Sequence, residues 1–363
     1  MKILIDDGMQ IHVGTGIGKY SKYLYDNLRK RSLCEKVEVS TFIPKNNSKK
    51  SARIAYIKHI NSKKYRDMSA QYDIVHFTNY LMPFRKNKRS KYVVTVHDLV
   101  SFIYPESLPV LYRFYSRFII RYAMCHADMI LTVSHSVKNE ITSKWPQYAS
   151  KVNVAYPGLY DEYEGKNIAD SYLMDVLNNL NGNDFFLFVG TIEKRKNLGI
   201  VIDAFIRLKK TCPNKYKLVL AGRPGYGFEA YEEKIKQSGY SKDIICTGYI
   251  SSEDVQKLYQ NAAAYVFPTI YEGFGSTQLE CMVNHLPLIL SDIPTNREVS
   301  GDYGMFFSLS DPATLVQQME KIVSGEYDYP AHRALAEEYL KKFSWDEIAF
   351  QVHHFYESIL KVN

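Results

Sequence analysis

The sequence lacks several features that define common classes of protein. It contains no uninterrupted apolar run of about 18 residues, so we expect no transmembrane helix. No N-terminal segment joins a basic start to a long apolar run, and the opening Ile3-Leu4-Ile5 instead predicts a first β-strand. The five cysteines are odd in number, scattered and without CxxC spacing, which favours reduced thiols over disulfides or a zinc site. We therefore expect a cytoplasmic protein.

Two common nucleotide-binding motifs are also missing. The loop Gly14-Thr15-Gly16-Ile17-Gly18-Lys19 follows the first predicted strand and precedes a helix, but it matches neither GxGxxG nor the P-loop spacing. It is either a glycine-rich turn that leads into a helix or a loop that lies near a phosphate. A Rossmann oxidoreductase would need GxGxxG and an acidic residue about 20 positions later, so this class is disfavoured.

Positive charge is concentrated in the first half of the chain. Residues 1–165 contain 26 Lys and Arg against 14 Asp and Glu, a net charge of +12, whereas the remainder contains 20 against 25, a net charge of −5. A basic first half suggests an anionic partner, which could be nucleic acid, a phosphorylated acceptor or an anionic membrane. The alternative is that abundant Lys and Tyr reflect an AT-rich genome.

Short apolar strands alternate with helical patterns in two series. The first series has strands at residues 2–6, 37–42, 72–77, 91–96, 129–133 and 152–155, and helices at 17–31, 108–126 and 134–144. The second has strands at 185–189, 217–221, 244–247, 264–267 and 287–291, and helices at 198–210, 229–237, 252–261, 276–284, 312–323 and 331–343. This alternation predicts an α/β fold of two Rossmann-like doubly wound domains that face each other across a cleft.

The composition places the domain boundaries in a polar stretch. We expect an N-terminal domain at residues 1–165, a linker at 166–182 and a second domain at 183–345. The amphipathic helix at the C-terminus, residues 346–363, is expected to cross back onto the first domain. The alternative is that it packs at the end of the second domain.

The most informative stretch is PTIYEGFGSTQLE, from Pro268 to Glu280. It is predicted to close a strand, cross a glycine turn and open a helix, whose N-terminal amides can bind an anion. We expect Glu272 in the loop and Glu280 two turns into the helix, so that each contacts a different part of one elongated ligand. Sugar, diphosphate and ribose in series would fit. The alternative is an ordinary strand–turn–helix with surface carboxylates.

Two further clusters follow predicted strands. Residues 190–198 again form a strand–turn–helix pattern, in which Arg195 and Lys196 could neutralise a leaving diphosphate or belong to a solvated basic loop. His97-Asp98 follows the strand at residues 91–96 and either contacts a substrate or caps the strand end.

A third cluster lies on the helix predicted at residues 108–126. Arg113, Arg117 and Arg121 recur every four residues among aromatic and aliphatic side chains. A basic, aromatic, amphipathic helix suits anionic headgroups or a phosphate-bearing acceptor. The alternative is a half-buried helix with a solvated arginine stripe.

Taken in order, these motifs resemble the retaining glycosyltransferases of family 4, group 1. The similar segments are the glycine-rich loop, His97-Asp98-Leu99, Thr132-Val133-Ser134-His135-Ser136, Tyr156-Pro157-Gly158, Arg195-Lys196-Asn197, Leu220-Ala221-Gly222, Gly248-Tyr249-Ile250 and Glu272 to Glu280. The resemblance extends to Phe343-Ser344-Trp345, and its specific part is the Glu-x7-Glu element. The loop before the first helix and Arg195-Lys196-Asn197 look most like bacterial mannosyl- and rhamnosyltransferases of surface-polysaccharide assembly.

The resemblance implies a GT-B fold with a nucleotide-sugar in the second domain, the acceptor on the first, and neither a metal nor a bound cofactor. The catalytic residues it implies are Glu272, His97, Lys196 and Arg195. The implied donor-binding residues are Glu280, Phe274, Gly275, Ser276, Thr277, Gly16, Tyr249, Ile250 and Arg223. One position departs from the family, because many members carry an arginine where this chain has Thr191. Arg195 would then supply the missing charge.

Each implied residue has an expected contact. Glu280 would bind the ribose hydroxyls and Glu272 would face the donor sugar, while the amides of residues 274–277 would lie beside the sugar and diphosphate. Arg195 and Lys196 would neutralise the diphosphate. Tyr249 and Ile250 would border the base, and base preference would depend on the backbone around Arg223 and Tyr249. From the first domain, His97 would reach the donor sugar and Gly16 would let its loop approach the phosphates.

The resemblance also implies a reaction. We expect transfer from GDP-mannose, with dTDP- and UDP-sugars as alternatives, to a glycan or lipid-linked saccharide, with no nucleic acid involved. No carboxylate is clearly placed as a covalent nucleophile, so the acceptor would attack the face that the diphosphate leaves. The enzyme would rest on the inner face of an anionic membrane. The alternatives are a sugar phosphorylase with bound PLP, a non-catalytic nucleotide-sugar-binding module and a basic nucleic-acid-binding protein.

Overall fold

The computed structural model of the 363-residue chain describes residues 1–9, 16–30, 34–44, 49–160, 184–212 and 216–361. The chain divides into two compact units. The first consists of Met1–Phe102, Pro109–Tyr160 and Lys342–Asn363, and the second of Ile103–Leu108 and the described part of Asp161–Lys341. The linker predicted at residues 166–182, with the boundaries on either side of it, lies outside the described residues. Within the described ranges, no helix is both long and apolar enough to span a membrane.

The first unit contains a six-stranded parallel sheet. Its elements are β1 (Lys2–Met9), α1 (Gly16–Lys30), β2 (Lys36–Phe42), α2 (Lys49–Ile60), α3 (Lys63–Ser69), β3 (Ile74–Phe77), β4 (Lys91–Val96), α4 (Val100–Ile103), α5 (Val110–His126), β5 (Met129–Thr132), α6 (His135–Lys144) and β6 (Val152–Val154). The strand order is β2-β1-β3-β4-β5-β6. β3 and β5 are buried along their whole length, as expected of parallel strands covered on both faces.

The second unit contains a second six-stranded parallel sheet. Its elements are β7 (Asp184–Val189), α7 (Leu198–Thr211), β8 (Tyr216–Ala221), α8 (Phe228–Gln237), β9 (Ile244–Gly248), α9 (Ser252–Asn261), β10 (Ala264–Phe267), α10 (Thr277–Val283), β11 (Leu288–Ser291), α11 (Pro294–Ser300), β12 (Gly304–Phe307), α12 (Ala313–Ser324) and α13 (Tyr329–Leu340). The strand order is β12-β11-β10-β7-β8-β9. The doubly wound α/β architecture expected from the sequence is thus present in both units.

The strand order reverses at one place in each sheet. β1 pairs with β2 on one side and with β3 on the other, and β7 likewise pairs with β8 and β10. At such a switch point the loops leaving neighbouring strands diverge, and a crevice opens beyond the carboxyl ends of the strands. Ligand sites are therefore expected after β1 and β3 in the first unit, and after β7 and β10 in the second.

The last helix, α14 (Trp345–Lys361), packs in the first unit against α1. Its Ile348, Val352 and Tyr356 enter the same apolar core as Tyr20 and Leu24 of α1. A Cβ atom on Gly158 would lie 2.7 Å from the Trp345 indole, so only glycine allows this close approach.

A buried histidine joins α14 to the sheet. His76 of β3 lies with Nδ1 2.7 Å from the Tyr356 hydroxyl and Nε2 2.8 Å from Oγ1 of Thr95. Burial lowers the pKa of His76 from 6.5 to about 3. The imidazole is therefore neutral in the folded protein at all pH values above this.

Acidification should destabilise the fold through His76. The unfolded state takes up a proton near pH 6.5 and the folded state only near pH 3, so stability is lost as the pH falls through this window. Between pH 7 and pH 5 the loss for one such histidine is about 2 kcal/mol. In urea unfolding, the free energy of unfolding of His76→Gln should fall by about 2 kcal/mol less than that of the wild type between pH 7 and pH 5. His354→Gln, which removes an exposed histidine of α14, should behave like the wild type, and equal slopes for all three would contradict the assignment.

Candidate functional site

Two loops meet at the switch point of the second sheet. Residues 190–197 follow β7, and residues 268–276 follow β10. Lys194–Lys196 form a single 3₁₀ turn that ends at Asn197, whose φ of +53° is left-handed. The backbone N–H of Ile270 donates a hydrogen bond of 3.0 Å to the carbonyl of Arg195, which fixes the two loops to each other.

The side chain of Glu272 lies at the centre of this site. Its Oε1 atom accepts hydrogen bonds from Nζ of Lys196 at 2.5 Å, from Nη1 of Arg195 at 2.6 Å and from Oγ1 of Thr269 at 2.9 Å. Nη2 of Arg195 also donates to Glu193 at 2.7 Å. Two cations and two carboxylates therefore form one cluster, which we call the Glu272 cluster, and its net charge is zero.

Burial makes these ion pairs strong. Glu272 is 8% exposed and Lys196 is 9% exposed. Burial lowers the pKa of Lys196, although Glu272 opposes that shift. Burial also acts to raise the pKa of Glu272, but Arg195 and Lys196 outweigh it and hold this pKa below its usual 4.5. Glu272 is thus ionised at neutral pH, and each buried charge depends on its partners.

The backbone around Glu272 is held as firmly as its carboxylate. Nη1 of Arg195 donates to the carbonyl of Tyr271 at 2.6 Å, and Oγ1 of Thr295 donates to the carbonyl of Glu272 at 2.8 Å. Neither Thr269 nor Thr295 was among the predicted site residues. Thr269 lies inside the informative stretch and could have been singled out there, whereas no sequence signal connects Thr295 with Glu272.

The glycine turn after Glu272 is tightly packed. Gly275 has a φ of +81°, and a Cβ atom there would lie 2.5 Å from Nε2 of Gln278. That amide donates to Oδ1 of Asn296 at 3.0 Å inside the unit. Phe274 is buried, Ser276 precedes α10, and Thr277 Oγ1 lies 3.0 Å from the Tyr265 hydroxyl.

Glu280 sits closer to the turn than the sequence suggested. It occupies the first turn of α10, which begins at Thr277 and is only seven residues long, so the expectation that it lies two turns into the helix was wrong. The hydroxyl of Tyr259 donates to its carboxylate at 3.0 Å. The helix starts one residue later than predicted because Ser276 is still part of the turn.

The residues predicted to border a base follow β8 and β9. The guanidinium of Arg223 lies 4.2 Å from the ring centroid of Tyr249, in cation–π contact. Tyr249 is 66% exposed, whereas the next residue, Ile250, is buried. An exposed aromatic ring beside an arginine offers a flat surface on which a planar base could stack.

Two of the predicted site residues belong to the first unit. Nε2 of His97 donates to the carbonyl of Thr78 at 2.7 Å, and its ring meets Tyr20 edge-on at 5.3 Å. Gly16 begins α1 and is exposed, with no atom within 4 Å of the place where a Cβ would be. Gly14 and Thr15 of the glycine-rich loop lie outside the described residues.

Comparison with known proteins defines the class to which this chain belongs. The family described as glycosyl transferases group 1 matches residues 173–342, and glycosyltransferase family 4 matches residues 5–163. O-antigen chain mannosyltransferase B of Escherichia coli is 26% identical over 286 residues, which cover 78% of this chain and 74% of that protein. O-antigen chain mannosyltransferase RfbU of Salmonella typhimurium is 27% identical over an aligned region that covers 64% of this chain and 60% of that protein.

A solved structure shows the same fold. Anabaena HepE in complex with UDP and glucose superposes with a TM-score of 0.70 at 16% identity, covering 99% of this chain and all of that one. The two parallel sheets therefore form the GT-B architecture of glycosyltransferases. The chain belongs to glycosyltransferase family 4, group 1, as its sequence motifs suggested.

Removing the charge of Glu272 should destabilise the protein far more than removing that of Glu280. Glu272→Gln leaves Arg195 and Lys196 buried without their shared carboxylate, and breaking such a pair costs about 3–5 kcal/mol. Glu280→Gln should cost about 1 kcal/mol, the value of an ordinary hydrogen bond. Urea unfolding at pH 7 gives both free energies.

The pH dependence provides a second measurement. Because the folded pKa of Glu272 is depressed, its contribution to stability is present above pH 4.5 and is lost as the pH falls below it. The Glu272→Gln variant should lack that part of the loss of stability at acid pH. A variant as stable as the wild type at pH 7 would contradict a structural role for the Glu272 cluster.

Proposed function

We propose that this protein is a retaining glycosyltransferase that moves a sugar from a nucleotide-sugar to a glycan or lipid-linked saccharide in surface-polysaccharide assembly. The observation that carries the proposal is the Glu272 cluster, which sits at the switch point of the second sheet, where doubly wound folds bind ligands. Arginine and lysine are the side chains best suited to a diphosphate there.

The Glu272 cluster suggests how the donor would be bound. In the cluster a single carboxylate neutralises Lys196 and takes one hydrogen bond from Arg195. A diphosphate carries more charge and more acceptor oxygens than a carboxylate, so we expect it to replace Glu272 as the partner of both cations. Glu272 would keep its hydrogen bond from Thr269 and become available to the hydroxyls of the donor sugar.

The remaining site residues complete the donor subsite in this proposal. The amides of Phe274, Gly275, Ser276 and Thr277 would lie beside the sugar and diphosphate, and Glu280 would bind the ribose hydroxyls. Tyr249, with Ile250 and Arg223, would border the base. For His97 and Gly16 of the first unit, the donor contacts implied by the family resemblance stay predictions.

Electrostatic stabilisation would account for much of the rate. Negative charge develops on the nucleoside diphosphate as the glycosidic bond breaks, and preorganised cations in a buried site stabilise it at little cost in reorganisation. Lys196 and Arg195 would then do the work that a divalent metal does elsewhere, so we expect turnover without a metal.

We propose that transfer proceeds by attack of the acceptor on the face that the diphosphate leaves. The acceptor proton would pass to the departing diphosphate oxygen, and the anomeric configuration would be retained. In this proposal Glu272 binds the hydroxyls of the donor sugar and does not attack its anomeric carbon, so it is not a covalent nucleophile.

Mannose is the sugar that we propose for the donor. Two relatives are named as O-antigen mannosyltransferases, which favours GDP-mannose. The HepE structure contains UDP, so a UDP-sugar is the first alternative, followed by a dTDP-sugar.

A nucleotide panel should identify the donor. We expect GDP, rather than UDP, dTDP or ADP, to raise the melting temperature in EDTA, since a ligand at 100 times its Kd adds about 2.7 kcal/mol of stability. Glu280→Ala should abolish the shift. Glu320→Ala, at an exposed carboxylate on α12, should preserve it. A shift with another nucleotide would correct the donor base, and no shift with any nucleotide would contradict a donor site.

The product of the identified donor tests the mechanism. NMR should show the same anomeric configuration in donor and product, whereas inversion would contradict retention. A sugar–enzyme adduct on Glu272 in mass spectrometry would contradict direct attack by the acceptor.

We further propose that the enzyme works in the cytoplasm, resting on an anionic membrane where lipid-linked acceptors lie. On α5 three large apolar side chains are exposed, namely Leu111 (86%), Phe114 (67%) and Phe118 (60%). Phe84, which is also exposed, lies beside Phe118 with 6.4 Å between the ring centroids and the rings tilted by 44°. We call these four residues the apolar patch.

The surroundings of the apolar patch are basic. Residues 81–97 and 110–126 contain eight Lys and Arg and no Asp or Glu. The arginine stripe is only partly exposed, because Arg113 and Arg117 are half-buried, whereas Arg121 is exposed. Arg117 and Arg121 both lie over the ring of Phe102, and Arg117 donates to the carbonyl of Ser101. Apolar side chains within a basic rim fit the interface of an anionic bilayer.

Polar substitution of the apolar patch should release the protein from membranes. The triple variant Leu111→Ser, Phe114→Ser and Phe118→Ser should bind vesicles containing phosphatidylglycerol at least about tenfold more weakly, since each side chain buries apolar area in the interface. Phe350→Ser, at an exposed phenylalanine of α14, is the matched control. Binding should also weaken with added salt. Failure of the wild type to bind these vesicles at low ionic strength would contradict the proposal.

A further inference from the structure

A pocket occupies the switch point of the first sheet. It is lined by Gly8 at the end of β1, by Asn79 and Tyr80 after β3, and by Ile17 of α1, and its volume is about 110 Å³. β1 and β3 are the neighbours at which the strand order reverses. The topology that predicts a ligand after β7 and β10 therefore predicts one here as well.

The walls of this pocket are unusually aromatic. Four tyrosines contribute to it, namely Tyr56, Tyr80, Tyr112 and Tyr115. The hydroxyls of Tyr80 and Tyr112 lie 3.4 Å apart. Binding pockets combine apolar walls with a few polar groups that orient the ligand. Aromatic faces with hydroxyls at their edges suit a hydroxylated ring.

Arg53 contributes a cation to the same pocket. The guanidinium carbon of Arg53 lies 5.5 Å from the ring centroid of Tyr112 and 5.4 Å from that of Tyr115. Within the described part of the chain, Arg53 forms no ion pair with a carboxylate. Cation–π contacts orient a guanidinium without neutralising it. Its planar fork remains suited to a phosphate or carboxylate.

The buried carboxylate of Asp6, close to this pocket, already accepts hydrogen bonds from the protein. Asp6 accepts hydrogen bonds from the hydroxyls of Tyr56 and Tyr65, each at 2.5 Å, and from the backbone N–H of Gly8 at 2.9 Å. Three donors thus hold the carboxylate of Asp6 in place, and it in turn fixes the ring of Tyr56 against the pocket.

We propose that this pocket binds an anionic sugar, with its phosphate or carboxylate on Arg53 and its ring against the tyrosines. In the proposed function this sugar is part of the acceptor, so the inference names the acceptor as negatively charged. The assignment to an acceptor rests on the proposed function, whereas the binding itself does not require transfer.

The test compares three sugars on the full-length protein. Titration calorimetry with glucose, glucose 6-phosphate and glucuronate should show at least about tenfold tighter binding of one or both anionic sugars, as expected for a charge-assisted contact. Preference for glucose 6-phosphate would identify a phosphate group, as at the end of a lipid-linked acceptor, and preference for glucuronate a uronic acid. Arg53→Gln should remove the preference, and Arg53→Lys should restore part of it.

Two controls locate the effect. Lys58→Gln removes an exposed cation from the same helix and should leave the preference unchanged. Lys196→Met, in the second unit, is expected to lower the melting temperature because it breaks the Glu272 cluster, but at a temperature where the variant is folded it should also leave the preference unchanged. Loss of the preference in the folded variant would place the anion in the donor site and overturn the proposal. Equal binding of all three sugars, or a preference that survives in Arg53→Gln with an unchanged melting temperature, would overturn it too. A negative nucleotide panel alongside an Arg53-dependent preference would refute the donor site but keep this pocket.

Discussion

The sharing of one buried carboxylate by two cations organises the candidate donor site. Glu272 fixes Lys196 and Arg195, and through them it joins the loop after β10 to the loop after β7. Removing any one charge would leave others uncompensated in a poorly solvated place. The same arrangement keeps two cations in position before a ligand arrives, which is the property that electrostatic catalysis of diphosphate departure needs.

Both units have a switch point in their parallel sheet, but different side chains surround it. In the second unit the switch point carries charged side chains that form a neutral cluster. In the first unit it carries four tyrosines and Arg53, whose charge is not paired with any carboxylate among the residues that the structure describes. A charged cluster suits a diphosphate, and an aromatic pocket with one cation suits a sugar that bears a single anionic group. The contrast is consistent with the proposal that the second unit binds the donor and the first unit binds the acceptor.

Much of the fold could be predicted from the sequence, because parallel strands and their helices have strong local periodicity. Strands such as Lys91–Val96 and Ala264–Phe267 were predicted to the residue. The edge strand Gly304–Phe307 was missed because it is short and begins with glycine. The helix Lys49–Ile60 was missed because it follows a polar stretch. Buried residues of this helix, Ala52, Tyr56 and Ile60, do recur every four positions, so the helical signal was present.

Patterns a few residues long predict the order of elements, the family and most candidate site residues, and they can be recognised without any knowledge of packing. These patterns do not predict which site residues contact one another. Lys196 and Glu272 are 76 positions apart, and they meet because β7 and β10 are neighbours in the sheet. Likewise Arg117 and Arg121 lie over Phe102, while Leu111, Phe114 and Phe118 of the same helix are exposed. Strand order and side-chain burial arise from the whole chain folding cooperatively, so only the folded molecule reveals which charges are shared and which surfaces are exposed.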